Sequence, residues 1–586
     1  MIGKSILTGL VLLTATGLLL ASCAAPGAGG AGARQLFPFD WPFRGLKKPA
    51  VTAADGMVVS SHGIASDVGA EVLRRGGNAV DAAVATAFAL AVTYPEAGSL
   101  GGGGFLVVRR ESGEAAALDF REKAPLGARR DMFLDASGRV TEDAVTGHLA
   151  AGVPGAVAGL HAAWRRFGSL PWEDLLAPAI GLAADGFTVD ERMSRTLAER
   201  RTRLLRFPST VEVFFPGGHP PRVGSTFRQP ALAETLRLIA RQGPDAFYRG
   251  RIADLIVQEM QRGRGLITHE DLALYEAKWR DPIAIEYRDH TIWAPPPPSS
   301  GGVTLAGILN ILEGYDLEGY GWQSPESIHL HAEAFRRAYA DRNYYLGDPD
   351  FVEMPIARLT SDAYAAELRT TISMNRASSS EDFNRVPRVR EGTHTTHLSV
   401  VDAGGNAVSL TTTINSLYGN GVVVAGAGFF LNNVMDDFSA RPGAPNQFGL
   451  IQGEANAIEP GKRMLSAMTP IIVGDPDGRL LLVAGSRGGS TIITQMAQIV
   501  TNLIDYGMSL RNAVDAPRMH HQHFPDEISY ERGGLDPFTA QALQGMGHRL
   551  NPSDGYFGEV QAILRRSDGT LVGVADERMV GEAVGY

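Results

Sequence analysis

Apolar residues recur every three to four positions along 62–94, which predicts two consecutive helices. The first helix, HGIASDVGAEVLRR, ends at Gly76-Gly77, and the second, rich in alanine, begins after Asn78 as its N-cap. The pattern then changes in GSLGGGGFLVVRRESGEAAALDF, which predicts two strands joined by the turn ESGE. From about residue 150 to 390 the helical pattern returns, for example in AVAGLHAAWRRF and ESIHLHAEAFRRAYADRNYY. A helix-rich region therefore precedes the next change of pattern.

Short apolar segments separated by turns begin at residue 395. TTHLSVV, AVSLTTTI, GVVVAG and GFFLNN are predicted strands with the turn sequences DAGGN and YGNG between them. TPIIVGD and RLLLVAG are two more predicted strands that flank PDG, and helical patterns follow in STIITQMAQIVTNLIDYG and DPFTAQALQGMG. Helices on both sides of a strand-rich region predict an α+β fold with helices outside and sheets inside.

The N-terminus has the pattern of a bacterial export signal. Lys4 precedes the apolar run ILTGLVLLTATGLLLA, which is about as long as a signal-peptide core. The run ends in Leu-Ala-Ser-Cys, the lipobox pattern in which a lipoprotein is cut and lipidated at the cysteine, here Cys23. We therefore predict a lipoprotein signal peptide over 1–22 and a flexible Gly/Ala/Pro-rich tether over 23–50. A plain secretory signal is the alternative.

Cys23 is the only cysteine, which excludes an intrachain disulfide framework and cysteine-based catalysis. Ala24 follows it instead of the Asp expected for inner-membrane retention, so we expect an exported cell-envelope lipoprotein, periplasmic and anchored to the outer membrane. No later run of residues is long and apolar enough to span a bilayer. The formal net charge of -10, without a basic block, argues against a nucleic-acid partner.

The segment REGTHTTHLSVVD, residues 390–402, places polar residues just before an apolar strand. Threonine is a weak nucleophile, but its own α-amino group can act as the base when it is the first residue of a chain. An internal threonine reaches that state only after backbone cleavage, which requires an exposed linker before it and a strand after it. The polar stretch TISMNRASSSEDFNRVPRVREG fits such a linker. From these residues alone, a threonine-rich strand edge is the simpler interpretation, and a solvated turn or a metal site are further alternatives.

Many other segments resemble one family in collinear order. THTTHLSVVDAGGNAVSLTTTINSLYGNGVVVAGAGFFLNNVMDDFSARPGAPN resembles the γ-glutamyltranspeptidase family of N-terminal-nucleophile hydrolases. So do GGGGFLVVRR, ALDFREKAP, GVPGAVAGL, THEDLALYEAKWRDPI, APPPPSSGGVTL, MLSAMTPIIV, GSRGGSTIITQ and PRMHHQHFPDE, from about residue 50 to the C-terminus. The resemblance implies a four-layer αββα sandwich. It also implies self-cleavage between His394 and Thr395 into a large subunit, 51–394, and a small catalytic subunit, 395–586, that form a heterodimer.

The resemblance also assigns catalytic roles. Thr395 is implied to be the nucleophile, with its own α-amino group as the base. Thr413 matches a hydroxyl that supports the nucleophile. Gly488 and Gly489 match the backbone N–H donors of an oxyanion hole, where glycine allows close approach.

Substrate binding is implied at four further positions. The matching residues are Arg121 for the α-carboxylate, Asp437 for the α-amino group, Ser466 beside the same carboxylate, and Asn415. The guanidinium of Arg121 suits a carboxylate because it can bind it with two hydrogen bonds. The implied reaction transfers the acyl group of a γ-glutamyl amide, such as glutathione, to Thr395 and then to water, an amino acid or a peptide. It needs no metal and no organic cofactor.

Four positions depart from the family pattern. Val434 stands where Gln or Glu is usual beside the substrate amine, and Ala467 replaces the second Ser of a usual pair. Phe448 stands where some bacterial members have a lid Tyr, and Arg487 replaces a usual Pro. A lost hydrogen bond to a charged group costs roughly 1.5–3 kcal/mol, or about 10- to 100-fold in affinity. Two alternatives therefore stay open: an acylase for glutaryl or a related acyl group, and a lipoprotein that is never processed and only binds peptides.

Several histidines resemble metal ligands by sequence alone. His520, His521 and His523 are close together, but the family carries a similar histidine pair without a metal. His329 and His331 are two apart on a predicted helix and do not share a face. We therefore predict no metal site from these residues.

Three other features have simpler explanations than a ligand site. GGGGF leads into a strand, whereas a dinucleotide-binding loop needs a following helix, so we predict a packing role. Asp436-Asp437 is weak as a Ca²⁺ site because further oxygen ligands are missing nearby. His397 points to the same side of its strand as Thr395, so a role as base stays open, although the terminal amine makes it unnecessary.

Overall fold

Two antiparallel β-sheets lie face to face at the centre of the protein. The computed structural model describes residues 37–38, 41–43, 48–383, 395–441 and 453–586, and within this part of the chain each sheet has seven strands. The strand order of the first sheet, named the β13 sheet, is β1 (Val51–Ala53), β18 (Leu571–Ala575), β17 (Glu559–Arg565), β13 (Leu480–Arg487), β12 (Ile471–Gly474), β9 (His290–Ala294) and β8 (Ile283–Tyr287). The strand order of the second, named the β10 sheet, is β19 (Glu582–Gly585), β2 (Met57–Ser60), β10 (Thr396–Val401), β11 (Ala407–Thr413), β3 (Gly103–Arg109), β4 (Ala115–Phe120) and β7 (Lys278–Arg280).

Helices cover the outer face of each sheet. The helices that pack on the β10 sheet side are α1 (Gly63–Arg74), α2 (Ala79–Thr93), α3 (Ala156–Phe167), α4 (Trp172–Asp185), α5 (Glu191–Leu204), α6 (Pro208–Phe214), α7 (Pro230–Gln242), α8 (Asp245–Tyr248), α9 (Arg251–Gly263) and α10 (His269–Ala273). Those on the β13 sheet side are α11 (Gly301–Glu313), α12 (Leu317–Tyr320), α13 (Pro325–Tyr345), α14 (Ile356–Leu359), α15 (Asp362–Arg369), α16 (Thr491–Ile504), α17 (Leu510–Asp515) and α18 (Pro537–Gly545). The predicted α+β class and the four-layer αββα arrangement are confirmed.

Two smaller sheets accompany the two large ones. Short strands β5 (Phe187–Thr188) and β6 (Thr226–Phe227) pair with each other. A second small sheet contains β14 (Met519–His520), β15 (Ile528–Glu531) and β16 (Leu550–Ser553).

The predicted pair of N-terminal helices is present as α1 and α2. Asn78 caps α2 by accepting hydrogen bonds from the N–H groups of Val80 and Asp81, and the Asp81 carboxylate accepts from the N–H of Asn78 at 3.0 Å. Every residue of α2 is buried, since its many alanines let it lie closely on the β10 sheet beneath α1 and α4. The strands β3 and β4 that follow match the predicted pair around ESGE.

Two predicted strands, at 421–426 and 428–433, were wrong. The structure has only isolated bridges there, between Val423 and Phe430 and between Gly101 and Leu431. The Asn432 side chain takes over part of the main-chain bonding, because its Nδ2 donates to the carbonyl oxygens of Gly101 at 2.7 Å and Gly152 at 2.8 Å. The apolar residues of these two segments are buried as the pattern predicts, but they lie in a loop and not in strands.

The layer between the two sheets changes from apolar to polar along its length. One end is filled by apolar residues of both sheets, namely Met57, Val59, Val107, Val401, Ala407, Ile472, Leu480, Val483, Ile563 and Leu571. Toward the start of β10 and the end of β11, the buried residues that face inward are polar: His397, Ser399, Ser409 and Thr411. This polar end is where the candidate site lies.

Part of the predicted tether 23–50 is packed rather than free. Residues Pro38–Tyr586 form one unit. Within it Trp41 is 2% exposed, and its Nε1 donates to the carbonyl oxygen of Asp515 at 2.8 Å. The Arg578 guanidinium lies over the rings of Trp41 and Phe43. The predictions at Cys23, His394 and Phe448 lie outside the described residues.

Within the described ranges, no helix combines the length and the apolar character needed to cross a bilayer.

Candidate active site

Thr395 lies directly before β10 and opposite the end of β11. In the antiparallel ladder Thr396 pairs with Thr412, so the next opposed pair is Thr395 and Thr413. Directly opposed residues point to the same face of a sheet, and here that face is the one between the two sheets. Both residues are buried. The structure thus brings the predicted nucleophile and its supporting hydroxyl together.

The glycine run 101–104, whose last two residues begin β3, packs against the same end of β11. A Cβ atom on Gly102 would lie 2.1 Å from the carbonyl oxygen of Thr413, and one on Gly104 would lie 2.2 Å from that of Thr411. Both positions need glycine, because only a residue without a side chain lets the two main chains approach so closely. The run enters a strand, as the sequence indicated, and its role is packing.

The start of β10 and the end of β13 meet at one end of the layer between the sheets. Ser399 donates a hydrogen bond to the carbonyl oxygen of Val483 at 3.4 Å. Two residues closer to the site on each strand, the His397 ring lies 2.3 Å from the position of a Cβ atom on Gly485. The facing strands therefore run in opposite directions, and Thr395 is level with the last residue of β13.

Gly488 and Gly489 form the turn between β13 and α16, close to that level. Their φ angles, 134° and 57°, are positive values that glycine adopts without strain. Ser490 is the N-cap residue of α16, and its Oγ donates to Gln522 Oε1 at 2.7 Å and contacts His520 Nε2 at 3.2 Å. The turn lies at the positive end of the α16 dipole, which favours developing negative charge. This is a suitable place for an oxyanion hole.

His397 lies between the sheets with both ring nitrogens bonded. Nδ1 is 2.8 Å from Thr411 Oγ1, and Nε2 is 3.1 Å from Ser399 Oγ. Burial lowers the pKa of His397 to about 3, so the ring is neutral at neutral pH. The orientation toward the side of Thr395 was predicted correctly, but these partners give His397 a packing role.

Arg121 and Asp437 form an ion pair in which Asp437 is partly exposed. We name the surroundings of this pair the recognition end, after the substrate-binding roles predicted for both residues. Arg121 is fully buried, and its Nη2 donates to Asp437 Oδ2. Its Nη1 donates to Glu122 Oε2 at 3.1 Å, and its Nε donates to the carbonyl oxygen of Met464 at 3.4 Å. Burial raises the pKa of Asp437, and it raises that of Glu122 to about 7, although Arg121 opposes both shifts. One guanidinium therefore faces two carboxyl groups.

Ser466 lies two residues after Met464 and so belongs to the segment that contacts Arg121. Its Oγ accepts a hydrogen bond from the N–H of Met468 at 3.1 Å. Its own N–H donates to the carbonyl oxygen of Pro298 at 2.9 Å. The predicted partner of the substrate carboxylate is thus held close to Arg121.

Asn415 links the nucleophile end of the site, where Thr395 and Thr413 lie, to the recognition end. Its φ is 73°, and its N–H donates to Thr413 Oγ1 at 2.8 Å. Its Nδ2 donates to the carbonyl oxygen of Asn433 at 3.0 Å, directly before the 3-10 turn Val434–Asp437. Asn415 thus joins Thr413 to the turn that carries Asp437.

Two of the residues that depart from the family pattern, Val434 and Ala467, make apolar contacts. Val434 is fully buried in a cluster with Ala124, Phe133, Met435 and Phe438. Ala467 packs against the core on the outer face of the β13 sheet. Neither side chain offers a hydrogen bond to a substrate.

The family model for γ-glutamyltranspeptidase matches residues 65–586. The chain belongs to the γ-glutamyltranspeptidase family. Among its relatives, the glutathione hydrolase proenzyme of Escherichia coli (strain K12) is 46% identical over 540 residues, which cover 92% of this chain and 93% of the relative.

Solved structures of family members and related acylases are also similar. The crystal structure of cephalosporin acylase from Bacillus halodurans has a TM-score of 0.82 and 29% identity, and it covers 94% of this chain and 99% of its own. The crystal structure of Helicobacter pylori γ-glutamyltranspeptidase has a TM-score of 0.55 and 45% identity, and it covers 58% of this chain and 97% of its own. The fold is thus shared by γ-glutamyltranspeptidases and an acylase, and the substrate must be argued from the recognition end.

The three histidines after α17 have hydrogen-bond partners. His520 contacts Ser490, Thr494 and Gln522, His521 contacts Asp526, and His523 contacts the carbonyl oxygen of Ser380. Burial lowers the pKa of each to about 4. Their contacts tie the C-terminal region to α16 and to the segment before residue 384.

One cluster of side chains that could bind a metal ion occurs among the described residues. It consists of His329, Glu333 and His548. His329 Nε2 contacts the carbonyl oxygen of Ser373, while its Nδ1 lies 2.7 Å from His548 Nε2. The oxygens of Glu333 accept from Arg336, Arg337 and Ser378. The ligand atoms are thus already used, and two guanidinium groups oppose a cation there. His331 points elsewhere, toward Thr501, as its spacing from His329 predicted.

Sequence reasoning missed Glu122 and the buried partners of Arg487. Glu122 follows Arg121 directly in DFREKAP, and two opposite charges inside a predicted binding motif are the signal that could have found it. The partners of Arg487 come from distant parts of the chain, and no local pattern marks them.

Proposed function

We propose that the chain is a self-processing γ-glutamyltransferase and glutathione hydrolase. The backbone is cut between His394 and Thr395, which makes Thr395 the first residue of a small subunit, 395–586, in a heterodimer with the large subunit, 51–394. The observation that carries the proposal is the convergence of Thr395 and Thr413 on β10 and β11 with the Gly488–Gly489 turn after β13. The relatives that carry glutathione hydrolase names support it.

In the proposed reaction, Thr395 Oγ attacks the γ-carbonyl carbon of the donor, and its proton passes to the Thr395 α-amino group. The negative charge on the carbonyl oxygen is stabilised by the N–H groups of Gly488 and Gly489. The intermediate collapses as the leaving amine takes the proton from the α-ammonium, and a γ-glutamyl ester of Thr395 remains. Water or the amino group of an acceptor then attacks the ester, with the α-amino group again taking the proton. Threonine is regenerated, and no cofactor takes part in any step.

Recognition of the donor follows from the ion pair at Arg121. The α-carbon of a γ-glutamyl group carries both a carboxylate and an ammonium group. The carboxylate replaces Asp437 at the Arg121 guanidinium, and the ammonium group binds the released Asp437 carboxylate. Ser466 and Asn415 contribute hydrogen bonds from the two flanking segments. The exchange keeps every buried charge paired, which limits the cost of desolvation.

Denaturing electrophoresis with N-terminal sequencing of the purified protein tests the cleavage. We expect two bands, the smaller one beginning with Thr395. A single full-length band in the mature protein would overturn the catalytic proposal and favour a binding lipoprotein that is never processed.

An acylase of a related acyl group is the second candidate function. Val434 and Ala467 leave fewer polar contacts for the α-amino and α-carboxylate groups, and an acylase shares the fold. Hydrolysis of a γ-glutamyl anilide is compared with that of a glutaryl anilide, which lacks only the α-amino group. Preference for the γ-glutamyl compound supports glutathione-type substrates, whereas preference for the glutaryl compound supports the acylase.

We also propose that the protein is exported and lipidated at Cys23, which anchors it in the cell envelope. The lipobox sequence and the tether after it support this location. Replacing Cys23→Ala and fractionating the cells tests it. The protein is expected to move from the membrane fraction to the soluble fraction, and an unchanged distribution contradicts the lipid anchor.

A further inference from the structure

Arg487, the last residue of β13, is buried between the sheets at the level of Thr395. It is 2% exposed, and its Nη1 donates to the Tyr94 hydroxyl at 2.9 Å. The same Nη1 lies 4.0 Å from the carboxylates of both Glu96 and Glu559. The guanidinium therefore joins the end of α2, the loop after it, and β17, which is the strand next to β13.

The charges around Arg487 balance inside the protein. Arg192 forms an ion pair with Glu96, and Arg487 faces Glu96 and Glu559, so two guanidinium groups meet two carboxylates. Within the described residues, Glu559 Oε2 has no hydrogen-bond partner, although Arg487 lies close to it. Burial raises the pKa of Glu559 to about 7, and Arg487 and Arg192 oppose this shift. Loss of Arg487 would leave a buried carboxylate without its cation, which is costly.

The same contacts reach the loop that carries Asn415. The carbonyl oxygen of Glu96 accepts from the N–H of Tyr418 at 2.9 Å, and Glu96 Oε2 accepts from Thr196 Oγ1 at 2.8 Å. Thr196 in turn contacts the Tyr418 hydroxyl at 2.6 Å. One buried cluster thus links the end of β13 to the segment just after Asn415.

The main chain at Arg487 continues directly into Gly488 and Gly489, which have positive φ angles. The carbonyl oxygen of Gly488 accepts a hydrogen bond from Thr491 Oγ1 at 2.8 Å, on the side of α16. The carbonyl oxygen of Arg487 is held by Gln495 Nε2 at 3.1 Å and by Ser486 Oγ at 2.9 Å. The Arg487 side chain anchors the same main chain from between the sheets, through Tyr94, Glu96 and Glu559. A shift of about 1 Å in a catalytic group can reduce a rate by about 100-fold, so the anchor matters for catalysis.

We propose that Arg487 is a positioning residue for the reaction. Held by Tyr94, Glu96 and Glu559, it fixes the end of β13 so that the N–H groups of Gly488 and Gly489 face the oxygen formed at Thr395. The inference rests on the proposed function, because it takes Thr395 as the nucleophile.

The test compares Arg487→Met and Arg487→Lys with a matched control, Arg109→Met. Arg109 is also 2% exposed, but it is at the opposite end of the β10 sheet, since it pairs with Ala407 whereas Gly103 pairs with Thr413. That separation is about 20 Å at the rise of a β-strand. The kcat and KM for a γ-glutamyl anilide, the extent of self-cleavage and Tm are measured for the three variants and the parent.

We expect Arg487→Met to lower kcat by at least about 30-fold with KM within threefold of the parent, in line with the loss of oxyanion stabilisation. Arg487→Lys keeps the charge but loses the planar fork, so kcat should fall about tenfold. Arg109→Met should lower Tm but leave kcat within threefold. A kcat of Arg487→Met within threefold of the parent, or equal losses of kcat in both methionine variants, would overturn the inference.

The design also covers a processing failure of Arg487→Met and a failure of the proposed function itself. If Arg487→Met is not processed, Arg487→Lys decides: a tenfold lower kcat at unchanged KM and Tm supports the role, and an unchanged kcat overturns it. Thr395→Ala is measured in parallel. Turnover by Thr395→Ala refutes the proposed function, whereas an inactive Thr395→Ala together with a fully active Arg487→Met refutes only the role of Arg487.

Discussion

The nucleophile end and the recognition end of the site rest on different kinds of support. Thr395 and Thr413 are fixed by main-chain pairing of β10 with β11, and the glycine turn follows another central strand. Arg121 and Asp437 are instead held by side-chain contacts between a strand end and a 3-10 turn. Substitutions can therefore change which acyl group is recognised without moving the nucleophile. Of the two apolar departures from the family pattern, Val434 lies in the turn that carries Asp437, whereas Ala467 follows Ser466 in the chain and packs on the outer face of the β13 sheet.

The largest expected effect comes from Thr395→Ala, which removes the hydroxyl at the nucleophile end. Both self-cleavage and turnover should fall to background, because no other group described at this end of β10 replaces it. Electrophoresis and an assay with a γ-glutamyl anilide measure the two losses. Thr395→Ser is the control, since it keeps a hydroxyl and should retain both activities in part. Cleavage by the alanine variant would show that the nucleophile is another residue.

Asp437→Asn tests the recognition end alone, because its effect should depend on whether the substrate carries an α-amino group. The variant should lower kcat/KM for a γ-glutamyl anilide about 10- to 100-fold, because a charged hydrogen bond to the ammonium group is lost. A glutaryl anilide lacks the ammonium group, so its kcat/KM should change much less. Equal losses with both substrates would mean that Asp437 acts on Arg121 or the fold and does not bind the amine.

Acid should weaken the support of the nucleophile end. Burial lowers the pKa of His520, which contacts Ser490, to about 4 from 6.5. The unfolded chain therefore binds a proton that the folded chain does not, and stability falls as pH drops from 6.5 toward 4, by up to about 1.4 kcal/mol per pH unit. Urea denaturation of the parent and of His520→Asn at several pH values in this range measures the slope. The variant should lose less stability per pH unit, and identical slopes would contradict the assignment.

The smallest expected effect is a gain from Ala467→Ser at the recognition end. Ala467 packs on the outer core but is only partly buried, so the hydroxyl of a serine there can turn toward the carboxylate bound beside Ser466. One such hydrogen bond contributes about 0.5–1.5 kcal/mol. The kcat/KM should rise about three- to tenfold for γ-glutamyl and glutaryl anilides alike, because both carry the carboxylate. A gain with neither substrate would place residue 467 outside the site.

The elements that the sequence predicted correctly are those with local causes. The Asn78 cap, the alanine-rich α2, and the alternation in β10 and β11 each follow from residues close in the chain. The pairing of Thr395 with Thr413 also follows from one short hairpin once the turn DAGGN is recognised. Local propensity and local hydrogen bonding are enough for such features.

What the sequence did not predict depends on distant contacts. The segments 421–426 and 428–433 alternate like strands, but Asn432 bonds to Gly101 and Gly152, hundreds of residues away, and holds them as a loop. From the sequence, Arg487 was only a departure from a motif. Its contacts could not be predicted, because Tyr94 and Glu96 come from the other end of the chain. Periodicity carries no information about such partners. The family resemblance supplied the site residues, and the structure supplied their surroundings.

The strand orders of the two sheets have a consequence for the processed protein. β10 lies between β2 and β11, β11 lies beside β3, and β12 lies beside β9, so strands from before residue 395 pair with strands from after it in both sheets. The two products of the proposed cleavage are therefore interwoven, and main-chain ladders join them in both sheets of the described structure. Dissociation would break main-chain ladders in both sheets and expose the cores, so it is the same event as global unfolding. After the cut, the heterodimer should melt in one cooperative transition, and neither fragment should fold by itself.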